Sequence, residues 1–354
     1  MKNRNFGLIL AGGQGTRFWP FSTEQNPKQF LNIVGKGSLI SQTYKRLKKI
    51  IEKQNIFIIA DNKYLKLIKD SIPEFKESNF IDEPAPRNTA PSLILSNIFL
   101  SRFDSNANVI IVPADHYISK EDIFKIQMKD ALYYADNKCI ITCGIKPEVP
   151  HTGYGYIKFD KYRTLKSGET DFFDVNEFKE KPELKTAKKY VKYGNYYWNS
   201  GMFIYKLKHF KEFFKKYSDY YYEKYLELEK SFENRDRFCE IFEQIKAESI
   251  DYALMEKIEE IKMFEAKFIW SDVGSWSSVY ELNKKDSNGN AIEVCNNVLI
   301  GTKKSLIFSK EKKPVAVIGL ENIVVINTKD GLLVANINDL QKVKQVKKLL
   351  DKDV

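Results

Sequence analysis

The chain has few cysteines and no long apolar run. Only four cysteines occur among 354 residues, so we expect no disulfide framework and a reducing compartment, the cytoplasm. No apolar stretch approaches the roughly 20 residues of a membrane-spanning helix, which leads us to expect no membrane association. The first apolar run, residues 6–10, is also too short for a secretory signal.

An organised nucleic-acid-binding pattern is missing as well. The net charge is +10, from 57 basic and 47 acidic residues. The lysines are scattered, however, and no zinc-finger, RRM or helix-turn-helix pattern arranges them. We therefore expect no nucleic-acid partner and interpret most of this charge as a solvated surface, with a few cations kept for small anionic ligands.

The chain has a glycine-rich segment, LAGGQGTRFWP at residues 10–20, but this segment matches neither of two familiar nucleotide-binding motifs. No lysine follows the glycines as in a P-loop, and Phe18 stands where a dinucleotide fingerprint needs its third glycine. The segment does follow an apolar, strand-like run, and glycines let backbone N–H groups approach an anion. With Arg17 and Lys28 as nearby cations, it predicts a cradle for a triphosphate.

Short apolar runs alternate with longer helical patterns in the first half of the chain. The runs predict strands over residues 6–10, 56–60, 109–112 and 139–144. Helices are predicted over residues 41–53, 62–71, 89–102 and 121–136. This alternation indicates an α/β fold with a doubly wound, mostly parallel sheet, whose ligands bind beyond the carboxyl ends of the strands. The glycine-rich segment and Asp115 both follow predicted strands and fall on that edge.

The composition changes twice further along the chain. Residues 207–257 are rich in Phe, Tyr, Lys and Glu, with aromatics at helical spacing, and predict helices with an inward aromatic face. Residues 284–290 form a polar linker. After it, strands are predicted over residues 298–300, 306–308, 315–318, 323–327 and 332–335, and an amphipathic helix over 339–350. We predict one domain over residues 1–283 and a small β-rich domain over 284–354 that ends in this helix.

Further motifs extend the pattern of the glycine-rich segment in a fixed order. They are PKQF (27–30), EPAPRNTAP (83–91), VPADH (112–116), GYGYI (153–157), FKEKP (178–182), WNSGMF (198–203) and WSDVGSW (270–276). The ordered set resembles the sugar-nucleotide pyrophosphorylases, which are nucleoside triphosphate:sugar-1-phosphate nucleotidyltransferases. The FWP and PKQF sequences resemble those of the branch that acts on mannose 1-phosphate and GTP.

The resemblance implies a reaction, a cofactor and an assembly. GTP and mannose 1-phosphate would give GDP-mannose and diphosphate, with Mg²⁺ assisting in-line attack of the sugar phosphate on the α-phosphorus. Because that nucleophile is already an anion, positioning and charge neutralisation are what the protein must supply. The family also implies a Rossmann-like, glycosyltransferase-A-like sheet, a C-terminal left-handed β-helix and a homodimer. No sustained six-residue repeat is present, so we expect a few β-helix rungs at most.

Individual roles follow from the same resemblance. Arg17 would bind the β- and γ-phosphates, Lys28 the phosphates at the reacting centre, and Asp115 and Asp272 the Mg²⁺. The predicted nucleotide-binding residues are Leu10, Ala11, Gly12, Gly13, Gly15, Thr16, Arg17, Lys28, Glu83, Arg87, Asn88 and Thr89. The predicted sugar-phosphate-binding residues are Gly155, Glu180, Lys181 and Asn199.

Two of these assignments have a specific chemical reason. Guanine presents two adjacent donors, N1–H and the exocyclic amine, which a carboxylate can accept together. Glu83 stands where the related thymidylyl- and uridylyltransferases carry Gln, so we hypothesise that it recognises guanine. In the sugar site, Glu180 can accept from two hydroxyls, Lys181 can pair with the phosphate, and Asn199 offers a donor and an acceptor.

Other interpretations of the sequence stay open at this point. The chain could use another hexose or heptose 1-phosphate, or another nucleotide. It could be an inactive regulatory or binding subunit, although the residues that the chemistry needs are all present. A nicotinamide-dependent oxidoreductase would share the sheet but would leave the later motifs unexplained. The two aspartates could also be turn formers, and Glu180 and Lys181 a surface charge pair.

Overall fold

A computed structural model describes residues 4–13 and 16–350 of the chain. The described residues form two compact units. The larger unit contains residues 4–12, 43–114 and 118–270, and the smaller unit contains residues 13, 16–42, 115–117 and 271–350. No helix in these described ranges combines the length and the apolar character that crossing a bilayer requires.

Most strands and helices of the chain precede residue 283. The strands are β1 (Asn5–Leu10), β2 (Ile56–Ala60), β3 (Phe80–Asp82), β4 (Asn108–Pro113), β5 (Tyr117–Ser119), β6 (Ile140–Ile145), β7 (Tyr156–Ser167), β8 (Thr170–Lys179), β9 (Tyr196–Lys206), β10 (Ile261–Glu265) and β11 (Ile269–Ser271). The helices are α1 (Leu39–Leu47), α2 (Leu65–Ser71), α3 (Thr89–Asp104), α4 (Glu121–Tyr134), α5 (Leu184–Tyr193), α6 (Leu207–Tyr217), α7 (Asp219–Ser231), α8 (Arg235–Gln244) and α9 (Trp276–Leu282). A single π-helical turn, Asp251–Met255, follows α8.

The larger unit is built on a nine-stranded sheet in the order β3-β2-β1-β4-β9-β6-β10-β8-β7. Strands β3, β2, β1 and β4 are parallel, and so are β6 and β10. Strand β9 runs antiparallel to both β4 and β6, and β7 and β8 are antiparallel to each other. The predicted doubly wound sheet is therefore confirmed, with antiparallel strands β7–β9, which the sequence did not predict, making it mixed.

The parallel strands form because they are short apolar runs that the sheet buries. All five residues of β2 are buried, and so are the first five of β4. The predicted strands over residues 6–10, 56–60, 109–112 and 139–144 match β1, β2, β4 and β6 to within one residue at each end. Continuous apolar runs are typical of strands covered on both faces.

One predicted helix extends too far. The prediction covered residues 41–53, whereas α1 ends at Leu47. The N–H groups of Ile50 and Ile51 both donate to the Leu47 carbonyl. This tight turn buries Ile51, which is 3% exposed, before the chain enters β2. Burial of an apolar side chain thus ends the helix earlier than its residue pattern predicts.

The aromatic region forms helices α6, α7 and α8, as predicted. Phe210, Phe213 and Phe214 of α6 are buried, and Phe238 and Phe242 of α8 join the same hydrophobic core. Their inward face is therefore part of the core of the larger unit. Burying aromatic side chains of this size contributes strongly to the stability of the fold.

The smaller unit carries the last strands and helix of the chain. They are β12 (Ala291–Glu293), β13 (Asn297–Ile300), β14 (Leu306–Ser309), β15 (Val315–Ile318), β16 (Ile323–Thr328), β17 (Gly331–Asn336) and α10 (Val343–Leu350). Strands β12, β14 and β16 pair in parallel, β13 and β15 form a second parallel pair, and β17 pairs antiparallel with β16. Successive strands that alternate between two parallel sheets form a short coil with few rungs, as expected. The sequence predicted β13–β17 and the terminal helix but not β12.

Candidate active site

The carboxyl edge of the parallel strands brings Gly12 and Glu83 together. Glu83 directly follows β3, and its N–H donates to the carbonyl of Ala60 at the end of β2 over 3.0 Å. A Cβ placed on Gly12, just after β1, would lie 3.3 Å from Glu83 Oε2. Glycine at residue 12 therefore permits this close approach. The structure thus joins the predicted glycine-rich cradle to the residue predicted to recognise the base.

Glu83 is buried, and its charge state is finely balanced. Only 8% of the residue is exposed, and the hydroxyl of Ser92 donates to its carboxylate. Burial raises the pKa of Glu83 to about 7, although the Ser92 hydrogen bond opposes this shift. A ligand that donates two hydrogen bonds to the carboxylate would favour the ionised form. Glu83 is therefore suited to a two-donor partner such as guanine.

The raised pKa predicts that Glu83→Gln stabilises the fold at pH 8 but not at pH 5. Because the pKa is about 7 in the folded chain and about 4.3 in an unfolded one, the folded state holds the proton more tightly. Stability therefore falls as the pH rises from about 5 to 8, by about 3 kcal/mol, and Gln removes this dependence. Urea unfolding of both proteins at both pH values measures the difference. Equal effects at pH 5 and pH 8 would contradict it, and Glu77→Gln, an exposed position, serves as the control.

The N-terminus of α3 and the residues just before it carry three more of the predicted nucleotide-binding side chains. Asn88 adopts a φ of +68°, a backbone region that is costly for a residue other than glycine, and its side chain accepts the N–H of Thr89. The Thr89 hydroxyl accepts the N–H of Ile250 over 2.8 Å. Arg87 Nε is buried without a hydrogen-bond partner in the described part of the chain. Asn88 and Thr89 thus shape the loop, whereas Arg87 keeps a donor that a ligand could satisfy.

Lys28 joins three of the predicted site motifs within the smaller unit. Its side chain is only 8% exposed, and Nζ donates to Asp115 Oδ2 over 2.8 Å. The same ammonium donates to the backbone carbonyl of Asp272 over 2.5 Å, although 244 positions separate the two residues. Tertiary structure therefore brings these three residues to one place, as their predicted roles require.

Asp115 is held in its ionised form. Burial alone would raise the pKa of this carboxyl, but the positive charge of Lys28 and then that of His116 outweigh it and lower the pKa. An ionised carboxylate is the oxygen ligand that Mg²⁺ prefers. Among the described residues no group of three or more His, Cys, Asp or Glu side chains could hold a metal. A magnesium ion at Asp115 and Asp272 would therefore take its remaining ligands from substrate phosphates and water, which suits this ion.

The loop that carries Asp272 has a constrained backbone. Val273 adopts a φ of +47°, a rare conformation for a β-branched residue, while its side chain is fully buried. A Cβ on Gly274 would come within 2.8 Å of Asp272 Oδ2, so glycine is required there unless the carboxylate moves. The buried side chain of Val273 and the absent side chain of Gly274 both restrict where the Asp272 carboxylate can lie.

Arg17 lies in a short 3₁₀ turn, Thr16–Phe18, and is exposed. The turn is anchored by Phe18, whose buried ring packs edge-on against Trp276 with 5.1 Å between the ring centroids. Gly13 is exposed, Ala11 is buried, and Leu10 is the last residue of β1. Gly15 and the side chain of Thr16 lie outside the described residues, so their predicted roles stay predictions.

Gly155, Glu180 and Asn199 form a second cluster, in the larger unit. The Asn199 N–H donates to the Gly155 carbonyl over 2.8 Å. A Cβ on Gly155 would lie 2.5 Å from Glu180 Oε2 and 3.5 Å from the Asn199 Cβ. Lys181 Nζ donates to Glu180 Oε1 over 2.5 Å. Burial would lower the pKa of Lys181, but Glu180 outweighs it and raises the pKa. The predicted sugar-phosphate residues are therefore neighbours.

The amide of Asn199 is already largely occupied. Its oxygen accepts from the Thr142 hydroxyl over 2.8 Å and from the Gly201 N–H over 3.2 Å. Its nitrogen donates to Asp251 Oδ1 over 3.1 Å. The Gly201 N–H takes one lone pair of this oxygen, and the Thr142 hydroxyl, which also faces the Met202 carbonyl over 3.1 Å, faces the other. Of the donor and acceptor predicted for a sugar hydroxyl, only the remaining N–H is left to offer.

Sequence reasoning missed two acidic residues of this cluster, Asp251 and Glu256. Asp251 accepts from Asn199, and Glu256 Oε1 accepts the backbone N–H of Glu180 over 2.9 Å. A signal for Asp251 was available, because it is a carboxylate within an otherwise apolar run that includes Ile250, Leu254 and Met255. Carboxylates in buried apolar surroundings are rare unless they are paired or functional.

Comparisons with known proteins identify two family regions in the chain. Residues 6–289 match the Nucleotidyl transferase family. Residues 295–350 match the MannoseP isomerase/GMP-like beta-helix domain. The first match contains all three groups of site residues, around Glu83, Lys28 and Glu180, and the second contains strands β13–β17.

Relatives match along nearly the whole chain. Mannose-1-phosphate guanylyltransferase of Salmonella montevideo is 37% identical over 351 residues, which cover 96% of this chain and 72% of that protein. Alginate biosynthesis protein AlgA of Pseudomonas syringae pv. tomato is 36% identical over 96% of this chain and 70% of its own length. A solved structure described as mannose-1-phosphate geranyltransferase from Thermus thermophilus matches with a TM-score of 0.88 and 25% identity, over 98% of this chain and 99% of that chain.

Proposed function

The chain belongs to the nucleotidyl transferase family, and we propose that it transfers GMP from GTP to mannose 1-phosphate. The products are GDP-mannose and diphosphate. Relatives named mannose-1-phosphate guanylyltransferase, 34–37% identical to the chain over 96–98% of its length, support this choice of substrates. The phosphate oxygen of the sugar attacks the α-phosphorus of GTP as diphosphate departs in line, so no general base is needed.

The observation that carries the proposal is the contact of Lys28 with both Asp115 and Asp272. This reaction brings two anions together and places growing negative charge on the leaving diphosphate. Lys28 supplies a buried positive charge to the phosphates at the reacting centre, where a charge acts more strongly than in water. Arg17 binds the β- and γ-phosphates through its planar, permanently charged fork.

Enzymes of this family generally use a divalent metal, and in this chain Asp115 and Asp272 would hold it, as Mg²⁺. When bound, Mg²⁺ neutralises charge on the phosphate oxygens. The lowered pKa of Asp115 keeps this ligand ionised. The constrained backbone at Val273 holds the second ligand in position.

The two remaining groups of residues provide substrate selection. Gly12, Glu83 and Arg87 bind the nucleotide, and Asn88 and Thr89 maintain the loop around it. Glu180 and Asn199 bind sugar hydroxyls beside the Gly155 backbone. Lys181 pairs with the phosphate of the sugar, since its ammonium is half-exposed beside Glu180. Within these groups, Gly12 lies against Glu83, Gly155 lies against Glu180, and Lys181 contacts Glu180.

Base selection by Glu83 predicts a specific change in nucleotide preference. Glu83→Gln is expected to lower kcat/KM for GTP by about tenfold to a hundredfold and to leave the poor use of UTP and dTTP unchanged or improved. The reason is that Gln offers one acceptor where guanine presents two donors, and a hydrogen bond to a charged group is worth about 1.5–3 kcal/mol. Steady-state kinetics with each nucleotide measures this. An unaltered preference for GTP would show that Glu83 does not recognise the base.

Diphosphate release tests the proposed function directly. The purified chain is incubated with Mg²⁺ while GTP, ATP, UTP, dTTP and CTP are each combined with mannose, glucose and galactose 1-phosphate. Release confined to GTP with mannose 1-phosphate is the expected result. Release with another pair would support nucleotidyl transfer but show that the proposed substrates are wrong. No release from folded protein would favour a binding subunit.

Three predictions about the whole chain also stay predictions. The domain boundary after residue 283 falls inside the smaller unit that the structure shows. The homodimer follows from family resemblance alone, and light scattering of the purified chain would measure it. The cytoplasmic location follows from composition and from the biosynthetic reaction proposed for the chain.

A further inference from the structure

Asp251 occupies a place in the sugar cluster that neither motif nor resemblance assigned. Its Oδ1 accepts from the Asn199 amide over 3.1 Å. The oxygens of a carboxyl group can accept several hydrogen bonds in all, so the Asn199 bond uses only part of the acceptor capacity of Asp251. Asn199 in turn contacts the Gly155 carbonyl, and Gly155 lies against Glu180. Asp251 therefore belongs to the same group of polar side chains as Glu180.

The segment that carries Asp251 is held from both sides. Before it, the N–H of Ile250 donates to the Thr89 hydroxyl over 2.8 Å. After it, the N–H of Glu256 donates to the Asp251 carbonyl, which closes the π-helical turn, and the Glu256 carboxylate accepts the N–H of Glu180. Single π turns are rare and frequently occur at functional sites. One short segment thus positions Asp251, Asn199 and the Glu180 backbone together.

The charges of this cluster favour a hydroxyl-bearing ligand. Asp251 and Glu180 are two carboxyl groups that interact electrostatically, with the ammonium of Lys181 beside them. Burial, followed by the negative charge of Glu180, raises the pKa of Asp251 above its usual range, although Lys181 opposes this. Two carboxyl groups repel a phosphate but accept hydrogen bonds from hydroxyls. A sugar ring supplies such donors in adjacent positions, so it would relieve the repulsion between the carboxyl groups.

We propose that Asp251 is a specificity-determining residue, which binds one hydroxyl of the sugar 1-phosphate beside Glu180 and Asn199. The proposal rests on the proposed function, since it concerns the sugar substrate of the same reaction. Because the oxygen of Asn199 already faces other donors, the carboxyl group of Asp251 takes the acceptor role toward the sugar hydroxyl. It also explains why a carboxyl group lies in an apolar part of the chain, where it would otherwise destabilise the fold.

A substrate-and-variant cycle tests Asp251. Wild type and Asp251→Ala are compared with mannose 1-phosphate and with its 2-, 3-, 4- and 6-deoxy analogues, at saturating GTP. We expect Asp251→Ala to raise KM for mannose 1-phosphate by about tenfold to a hundredfold, as for other hydrogen bonds to charged groups, with KM for GTP unchanged. With wild type, KM for one deoxy analogue should exceed KM for mannose 1-phosphate by about the same factor. In the variant, this difference between the two substrates should largely vanish.

The controls separate this role from a structural one. Asp251→Asn keeps an acceptor for the Asn199 amide, and Asp236→Asn makes the same change at an exposed position of α8. A residue that only supports the fold would weaken all analogues by the same factor, and that result would overturn the proposal. Direct hydroxyl binding is supported if Asp251→Ala removes the discrimination against one deoxy analogue and Asp251→Asn restores both KM and that discrimination. A wild-type chain that uses no sugar phosphate with GTP would instead refute the proposed function itself.

Discussion

Arg17→Ala is expected to lower kcat/KM for diphosphate release by about 10³-fold without changing the thermal stability of the protein. The guanidinium is exposed, whereas the turn around it is anchored by the buried ring of Phe18 against Trp276. The substitution therefore removes a charge and almost no packing. Losses of this size are typical when a positioned charge no longer meets the charge that develops on a transferring phosphate.

Two variants complete the test of Arg17. Arg17→Lys retains the positive charge but loses the two-pronged geometry, so an intermediate loss is expected. Arg237→Ala removes an exposed arginine from α8, which pairs with Glu240, and should leave kcat/KM unchanged. If Arg17→Ala kept full activity, the charge of the leaving diphosphate would have to be neutralised by other residues.

Asp272→Asn is expected to lower kcat by about 10³-fold and to raise the Mg²⁺ concentration needed for half-maximal activity. The variant keeps the backbone carbonyl that accepts from Lys28 over 2.5 Å, and it changes only the charge of the side chain. Neutralisation by a metal is worth several kcal/mol, and each 1.36 kcal/mol corresponds to about tenfold in rate. Diphosphate release over a Mg²⁺ titration measures both effects.

The exposed residue Asp330 provides a matched control for Asp272. Asp330→Asn makes the same chemical change in the same unit, but in the exposed turn between β16 and β17. It should leave both kcat and the Mg²⁺ dependence as in wild type. Thermal unfolding of both variants checks that the fold is retained. An Asp272→Asn enzyme with normal kcat and a normal Mg²⁺ requirement would show that this carboxylate holds no catalytic metal.

The parallel part of the sheet could be predicted because its signal is local. Strands β1, β2, β4 and β6 are apolar runs bounded by turns and polar residues, and burial on both faces selects this composition. Strands β7 and β8 are different, since they mix exposed and buried residues and pair with each other across two register shifts. Their position depends on cross-strand contacts, which no short window of sequence contains.

The features of the site also divide into those that the sequence predicts and those that depend on tertiary structure. Residue types at Arg17, Lys28 and Glu180, taken in their order along the chain, are enough to indicate phosphate and sugar chemistry. The pKa of about 7 at Glu83 could not be predicted, because it results from burial in the folded chain, which the hydrogen bond from Ser92 opposes. The occupied oxygen of Asn199 also depends on Thr142, a residue 57 positions away.

Ordered motifs in the sequence were sufficient for the family, the fold class and most of the residues that we assign to the reaction, since each motif is a short segment whose chemistry is visible in its residue types. Tertiary structure was needed to show that Lys28 lies between Asp115 and the Asp272 carbonyl, and that Asp251 lies beside Asn199. These contacts join residues that are far apart in the chain. Their distances, burial and charge states arise only when the folded backbone brings them together in surroundings of low dielectric constant.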